Sequence, residues 1–230
     1  MEVNIYGPSD DAGQIIGFTV VVDVFRAFSM SYYIDERKPE QYIIAESIEH
    51  AMALRQVYKN AVLIGERQGI MIDGFDLGNS PTEIKDLDLR GKKVVHTTTS
   101  GTKGLLAQPE QNEVVTGSFV NLGALLTYIT QKKIERVNIY CTAEEQLEYG
   151  REDYIFADYM KNRLLELPCD YEKTMSQLRA LSAPYLSDRG FAPYSDFLYC
   201  MDINRFNAIL KRKYSNKNTH KLELERIYLT

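Results

Sequence analysis

Gly17-Phe18-Thr19-Val20-Val21-Val22-Asp23-Val24 is an apolar, β-branched run that ends on an acid, with Phe25-Arg26-Ala27 directly behind it. The most apolar stretch, Ile15 to Phe25, is too short to span a membrane and contains Asp23, so it reads as a buried central strand. A helix is expected next, from about Arg26 to Asp35. Asp23 and Arg26 therefore stand where strand gives way to helix, and both can point into a site above a sheet. The bland alternative is a buried ion pair that fixes the strand end, since charges in apolar surroundings need partners.

Working outward, Tyr42 to Ala45, Ala61 to Gly65, Lys93 to Thr97, Glu113 to Thr116 and Arg136 to Cys141 read as further strands separated by helix-length segments. Ser47 is the expected N-cap of a helix reaching Tyr58. This alternation implies βαβ crossovers and an α/β fold, with a mainly parallel or mixed sheet flanked by helices. Ligands in such sheets collect outside the carboxyl ends of the strands. Residues 1–230 read as one α/β unit. A weak likeness between Val20 to Phe28 and Val94 to Gly104 raises two similar lobes, with a candidate boundary near residues 85–92. From Glu152 the chain reads as helix, then mixed polar segments punctuated by Pro168, Pro184 and Pro193, then helix from Tyr194 to Lys213. A polar loop over Lys213 to Lys221 and an alternating terminal strand, Leu222 to Tyr228, complete it.

Composition narrows the function. The 230 residues are 44% hydrophobic and 26% charged, ordinary for a globular protein with a sizeable core. Twenty-seven Lys and Arg against 32 Asp and Glu leave −5, which gives no electrostatic case for nucleic-acid binding. Cys141, Cys169 and Cys200 are odd in number and widely spaced, so neither a disulfide framework nor structural zinc is expected. With no signal-peptide pattern at Met1-Glu2-Val3-Asn4, a cytoplasmic, membrane-free protein is the expectation.

Three further stretches gather polar residues at strand ends. Gly65-Glu66-Arg67-Gln68-Gly69 leads into Asp73-Gly74-Phe75-Asp76-Leu77-Gly78-Asn79-Ser80-Pro81, with Ser80, Pro81 and Glu83 placed as a capping box. The helix start so formed would offer backbone N–H groups to an anion. Thr97-Thr98-Thr99-Ser100-Gly101-Thr102 can form a phosphate cradle, although it lacks the ending and spacing of a Walker A loop, so ATP gains no support. Glu152 and Asp153 open a helix after the Cys141 to Gly150 loop, where acids ordinarily compensate the helix dipole. His96, inside a strand, reads as structural; His50 and His220 read as a helix face and a polar tail.

In this order these stretches resemble the 2-phosphosulfolactate phosphatase family, over about Val20 to Asp202. Gly74 to Pro81 is the most specific of them, and Gly117-Ser118-Phe119-Val120-Asn121 and Asp196 to Asp202 are similar too. The resemblance implies an α/β enzyme that hydrolyses 2-phospho-3-sulfolactate with Mg²⁺, a step towards coenzyme M. The chain departs from the family in having Phe25 for Leu, Ser100 for Asn, and the acids Glu144 and Glu145 after Cys141. Those acids would disfavour a doubly anionic substrate if they faced the pocket.

Phosphate-ester hydrolysis needs charge neutralisation, an activated nucleophile and a cationic clamp. Asp23, Glu66 and Asp76 are the expected Mg²⁺ ligands, with Asn79 as a neutral helper. Arg26 and Arg67 are expected to clamp the anion, and Ser80, Thr99, Ser100, Gly101 and Thr102 to cradle it. Glu152 or Asp153 would orient water or bind metal indirectly. Attack by water and attack by Asp23 both remain open. Position 25 is Phe25, where haloacid-dehalogenase-type phosphatases carry a second Asp, so that fold is not adopted. The expected partner is a small phosphorylated molecule, and a homo-oligomer is compatible with the chain. The competing reading is an anion-binding protein without turnover.

Overall fold

The structure, a computed structural model, describes residues 1–145, 150–188, 192–214 and 221–229, with backbone alone over 181–188. In chain order the strands are β1 (Glu2–Tyr6), β2 (Phe18–Val22), β3 (Gln41–Ile44), β4 (Ala61–Arg67), β5 (Ile70–Met71), β6 (Lys93–Thr97), β7 (Val114–Gly117), β8 (Arg136–Cys141), β9 (Ile209–Tyr214) and β10 (Leu222–Ile227). The helices are α1 (Ala27–Glu36), α2 (Ile48–Val57), α3 (Pro81–Ile84), α4 (Gly101–Ala107), α5 (Leu122–Gln131), α6 (Arg151–Leu164), α7 (Tyr171–Asp188) and α8 (Tyr194–Cys200).

The strands form a mixed sheet in the order β1-β8-β2-β7-β9-β10-β3-β6-β4-β5. β1, β8, β2 and β7 run parallel, and so do β3, β6 and β4. Between the two blocks lies the antiparallel pair β9–β10, itself antiparallel to β7 and β3. The two strand units with a weak mutual likeness are thus β2, in one block, and β6, in the other. Following the pairings across makes the blocks nominally opposed in direction. Five strand steps separate β2 from β6, and at about 25° of twist per step the rotation is about 125°. That twist turns the carboxyl ends of the two blocks towards one another, so a site can draw on both.

The central strands are buried on both faces. Val21, Val94 and Ile64 face a core shared with α1, α3 and α4, while Val20, Val22, Val115 and Val137 pack under α5 and α6. Val95, Leu63 and Ile43 complete the second face beneath α2. Val20, Val21, Val22 and Val24 are all 0% exposed, and each fully buried side chain of this size stabilises by about 1.5–3 kcal/mol. Ser47 caps α2 as expected, its Oγ accepting from His50 N at 3.1 Å.

Several expectations are corrected. The strand read as Ala61 to Gly65 continues to Arg67 and turns back through Gln68 and Gly69, with φ of 54° and 83°. A two-residue turn with both φ positive matches hairpin twist, and Gly69 adopts it without strain. The helix expected over Tyr194 to Lys213 stops at Cys200, and Ile209–Tyr214 is instead β9. The ladder with β10, six paired residues long, and the full burial of Ile209 and Leu210 outweigh the local helical pattern. α7 occupies the segment read as mixed and polar, and β1 was not expected at all. Most of the Lys213 to Lys221 loop, with His220, lies outside the described residues, as do 146–149. Among the described residues no helix is long and apolar enough to cross a membrane, and the three cysteines are unpaired.

Candidate active site

Asp23 follows β2 and is 8% exposed. Its Oδ1 accepts from Ala27 N at 2.9 Å, so the carboxylate caps the chain entering α1. Its Oδ2 lies 3.3 Å from Thr142 Oγ1, at the end of β8. Arg26, 6% exposed, sits on the same turn; the Phe25–Arg26 peptide is cis. Its Nη1 donates to Asp196 Oδ2 at 2.7 Å, and its Nη2 reaches Gly69 O at 3.4 Å.

From the other block comes Glu66, at the carboxyl end of β4. Its Oε1 accepts from Thr99 N at 2.7 Å, and its Oε2 from Gly69 N at 2.7 Å and Thr99 Oγ1 at 2.9 Å. Glu66 therefore braces the hairpin turn against the threonine loop. A Cβ built on Gly101, where α4 begins behind that loop, would stand 2.8 Å from Asp23 Oδ2, which shows how closely the two strand ends approach.

Glu152 and Asp153 are buried rather than solvated helix-end charges. Asp153 Oδ1 accepts from Val24 N at 2.8 Å and its Oδ2 from Thr142 N at 3.2 Å, pinning α6 to the ends of β2 and β8. Burial raises the pKa of Asp23 above the ordinary carboxylate range; the Ala27 amide opposes this and the charge of Glu66 adds to it. Burial also raises Glu152, reinforced by Asp23, and raises Asp153, reinforced by Asp23 and Glu152. Three buried acids whose charges repel one another favour either protons or a cation.

Other expected residues take different positions. Asp76 does not join this cluster: it is ion-paired with Arg55 of α2 and accepts from Leu63 N at 2.8 Å, midway along β4. The reason is register, because Leu77 bridges Ile64 and so sets Asp76 beside Leu63. Ser80 does not cap α3 with its side chain but donates to Asp196 Oδ1 at 2.8 Å, and Glu83 accepts from Gly78 N instead. The α3 amide of Thr82 is also taken by Asp196 Oδ1, at 3.0 Å, so that helix start is not open to an anion as expected. Arg67 folds back, donating to Glu66 O and Thr97 Oγ1. Thr98 and Thr102 bond each other reciprocally at 3.1 Å, so Thr102 shapes the loop. Ser100 is half-buried at the N-cap of α4, without a side-chain cap bond.

Asn79 is 5% exposed, and its Oδ1 has no hydrogen-bond partner. His96 is buried at 1% exposure with Nδ1 2.8 Å from Tyr42 Oη, and burial lowers its pKa to about 3, so it stays neutral. Thr142 is a site residue that reading the motifs missed, and Asp196 opens a family-like stretch that carries no expected role. Asp196 lies 170 positions from Arg26, and Thr142 follows a strand with only a single hydroxyl to mark it. The departures Glu144 and Glu145 turn elsewhere: a Cβ on Gly7 would lie 3.9 Å from Glu144 Oε2, and Glu145 lines a cleft of about 650 Å³ between α6 and α7. That cleft contains none of the clustered acids.

Among the described residues no three His, Cys, Asp or Glu side chains are grouped to hold a metal by themselves. A triad of Asp23, Glu66 and Asp76 is accordingly not formed. What is present is an oxygen donor set of two crowded, buried carboxylates, Asp23 and Glu152. That set fits Mg²⁺, which is usually held by one or two carboxylates with waters and substrate phosphate oxygens completing the shell.

A model of the 2-phosphosulpholactate phosphatase family matches residues 8–214. Similar proteins named "Probable 2-phosphosulfolactate phosphatase" occur in several bacteria, and the name denotes a phosphoric monoester hydrolase. The one from Caldicellulosiruptor saccharolyticus is 31% identical over 90% of this chain and 81% of its own length. Those from Deinococcus radiodurans and Thermotoga petrophila are 32% and 35% identical, over 64% and 63% of this chain and 62% and 61% of their own. With the match running from before β2 through β9, the chain belongs to the 2-phosphosulpholactate phosphatase family.

Proposed function

We propose that the protein is a Mg²⁺-dependent phosphatase acting on a small phosphorylated hydroxy acid or sulfonate, with 2-phospho-3-sulfolactate the first substrate to test. The observation that carries this reading is the meeting of Asp23 and Arg26 from one parallel block with Glu66 and the threonine loop from the other, in a chain of this family.

Asp23 and Glu152 would hold the cation. Bound Mg²⁺ would neutralise phosphate charge and polarise the ester. Arg26 can pair with phosphate or sulfonate oxygens through its guanidinium. Gly101 keeps the space over Asp23 Oδ2 clear, and Glu66 holds Thr99 and the Gly69 turn so that the walls of the cleft do not shift. Asp153 fixes Val24 and Thr142, and with them the direction of the Asp23 carboxylate.

The test is phosphate release from 2-phospho-3-sulfolactate and a panel of phosphorylated hydroxy acids, with Mg²⁺ and with EDTA. Release should require Mg²⁺ and fall by about 10²–10³ in Asp23→Asn. Full activity in chelator would reject the metal role, and phosphate binding without release from any panel member would favour the anion-binding alternative.

A further inference from the structure

Asp196 is 0% exposed in a protein whose other charged groups mostly reach solvent or lie in the acid cluster. It belongs to α8, yet its Oδ2 is engaged by Arg26 of the site and its Oδ1 by the chain that opens α3. Oδ2 accepts from Arg26 Nη1 at 2.7 Å, and Oδ1 accepts from Ser80 Oγ at 2.8 Å and Thr82 N at 3.0 Å. α8 is seated independently of these bonds. Phe197 stacks on Phe25 with centroids 5.5 Å apart, and Ser195 Oγ meets Thr82 Oγ1 at 2.7 Å.

Arg26 has acids on more than one side. Its charge is felt by Asp23, and its Nη2 reaches the turn that Glu66 braces. A buried guanidinium so placed would pair with whichever carboxylate is nearest, and pairing with Asp23 would block both groups at once. A full countercharge at Nη1, itself locked by two further donors, prevents that collapse.

We propose that Asp196 is a positioning residue: it anchors the Nη1 end of Arg26 so that the guanidinium meets the substrate anion instead of Asp23. The inference rests on the phosphate-clamping role of Arg26 in the function proposed above. Asp196→Asn keeps the shape and an acceptor for Ser80 and Thr82 but withdraws the charge from Arg26. Thr82→Val is the structural control, because it cuts the Thr82–Ser195 link between α3 and α8 and leaves the Asp196 carboxylate untouched.

The experiment measures the affinity of inorganic phosphate in Mg²⁺ by calorimetry for the full chain, with thermal unfolding and a crystal structure of each folded variant. Asp196→Asn should weaken phosphate binding about 10–100-fold and raise KM for the substrate found in the screen. Thr82→Val should lower the unfolding midpoint with phosphate affinity within about twofold. Arg26→Ala combined with Asp196→Asn should bind no more weakly than Arg26→Ala alone, because Asp196 acts through Arg26. Wild-type affinity in Asp196→Asn, multiplying losses in the double variant, or an unmoved Arg26 in the Asp196→Asn crystal would each overturn the inference. Should Asp196→Asn not fold, Arg26→Lys retains the ion pair but not the fork; unchanged phosphate affinity there overturns it too. A wild type that binds phosphate but releases none from any ester defeats the phosphatase reading and leaves this inference to the affinities, whereas a wild type that releases phosphate from an ester but binds no inorganic phosphate defeats this inference alone.

Discussion

Gly101 and Asp23 approach so closely that a single added methyl group would collide: a Cβ at Gly101 would stand 2.8 Å from Asp23 Oδ2 and 2.7 Å from Ala27 Cβ. Neither neighbour can yield cheaply, since Asp23 is held by the Ala27 amide and Ala27 begins α1. Gly101→Ala should therefore fold and displace the carboxylate. A misplacement of about 1 Å commonly costs about 10²-fold in rate. Turnover within twofold of wild type, measured beside circular dichroism, would show that the position of Asp23 is immaterial.

Asp76 predicts the opposite pattern. It is 44% exposed at the side chain, paired with Arg55 and bonded by Leu63 N, away from the acid cluster. Asp76→Asn should retain turnover within a few-fold and lose about 1 kcal/mol or less, the usual range for an exposed pair. A hundredfold loss of turnover in a folded variant would place Asp76 back in the chemistry.

The crowded acids give a pH signature for the metal-free protein. Burial, with the charge of Glu66, pushes Asp23 up to about 6, and burial with Asp23 pushes Glu152 up to about 7. Groups raised in the folded state hold protons that the unfolded chain has already released, so their contribution is present below about pH 4 and lost as pH rises through about 6 to 7. In EDTA the thermal midpoint should accordingly fall between pH 5 and pH 8, by about 2–4 °C for each kcal/mol lost. Mg²⁺ binds the ionised form, so it should raise the midpoint more at pH 8 than at pH 5. Equal stabilisation at both values would count against these carboxylates as ligands.

His96 is expected to matter for folding alone. It is neutral by burial and joined to Tyr42 Oη. His96→Gln should destabilise by about 1–3 kcal/mol through the lost bond and leave kcat little changed. A folded variant with lost turnover would assign His96 a chemical role.

The primary sequence by itself determined the strand-end chemistry. The valine run into Asp23 and Arg26, the acid after Ala61 to Gly65, and the threonine loop after Lys93 to Thr97 each rest on neighbours a few residues apart, because a buried strand leaves its polar residues at its end. Alternating strands and helices made the α/β class legible for the same local reason. Tertiary structure decided which of these ends meet. β9 and β10, one of them read as helix, link two blocks of opposed direction, and accumulated twist then brings Glu66 and Gly101 to Asp23. It also decided that Asp76 pairs with Arg55 while Asp196 reaches Arg26 across 170 positions. Register and long-range ion pairing depend on where distant segments are packed, and nothing in the residues beside Asp76 or Asp196 encodes that separation.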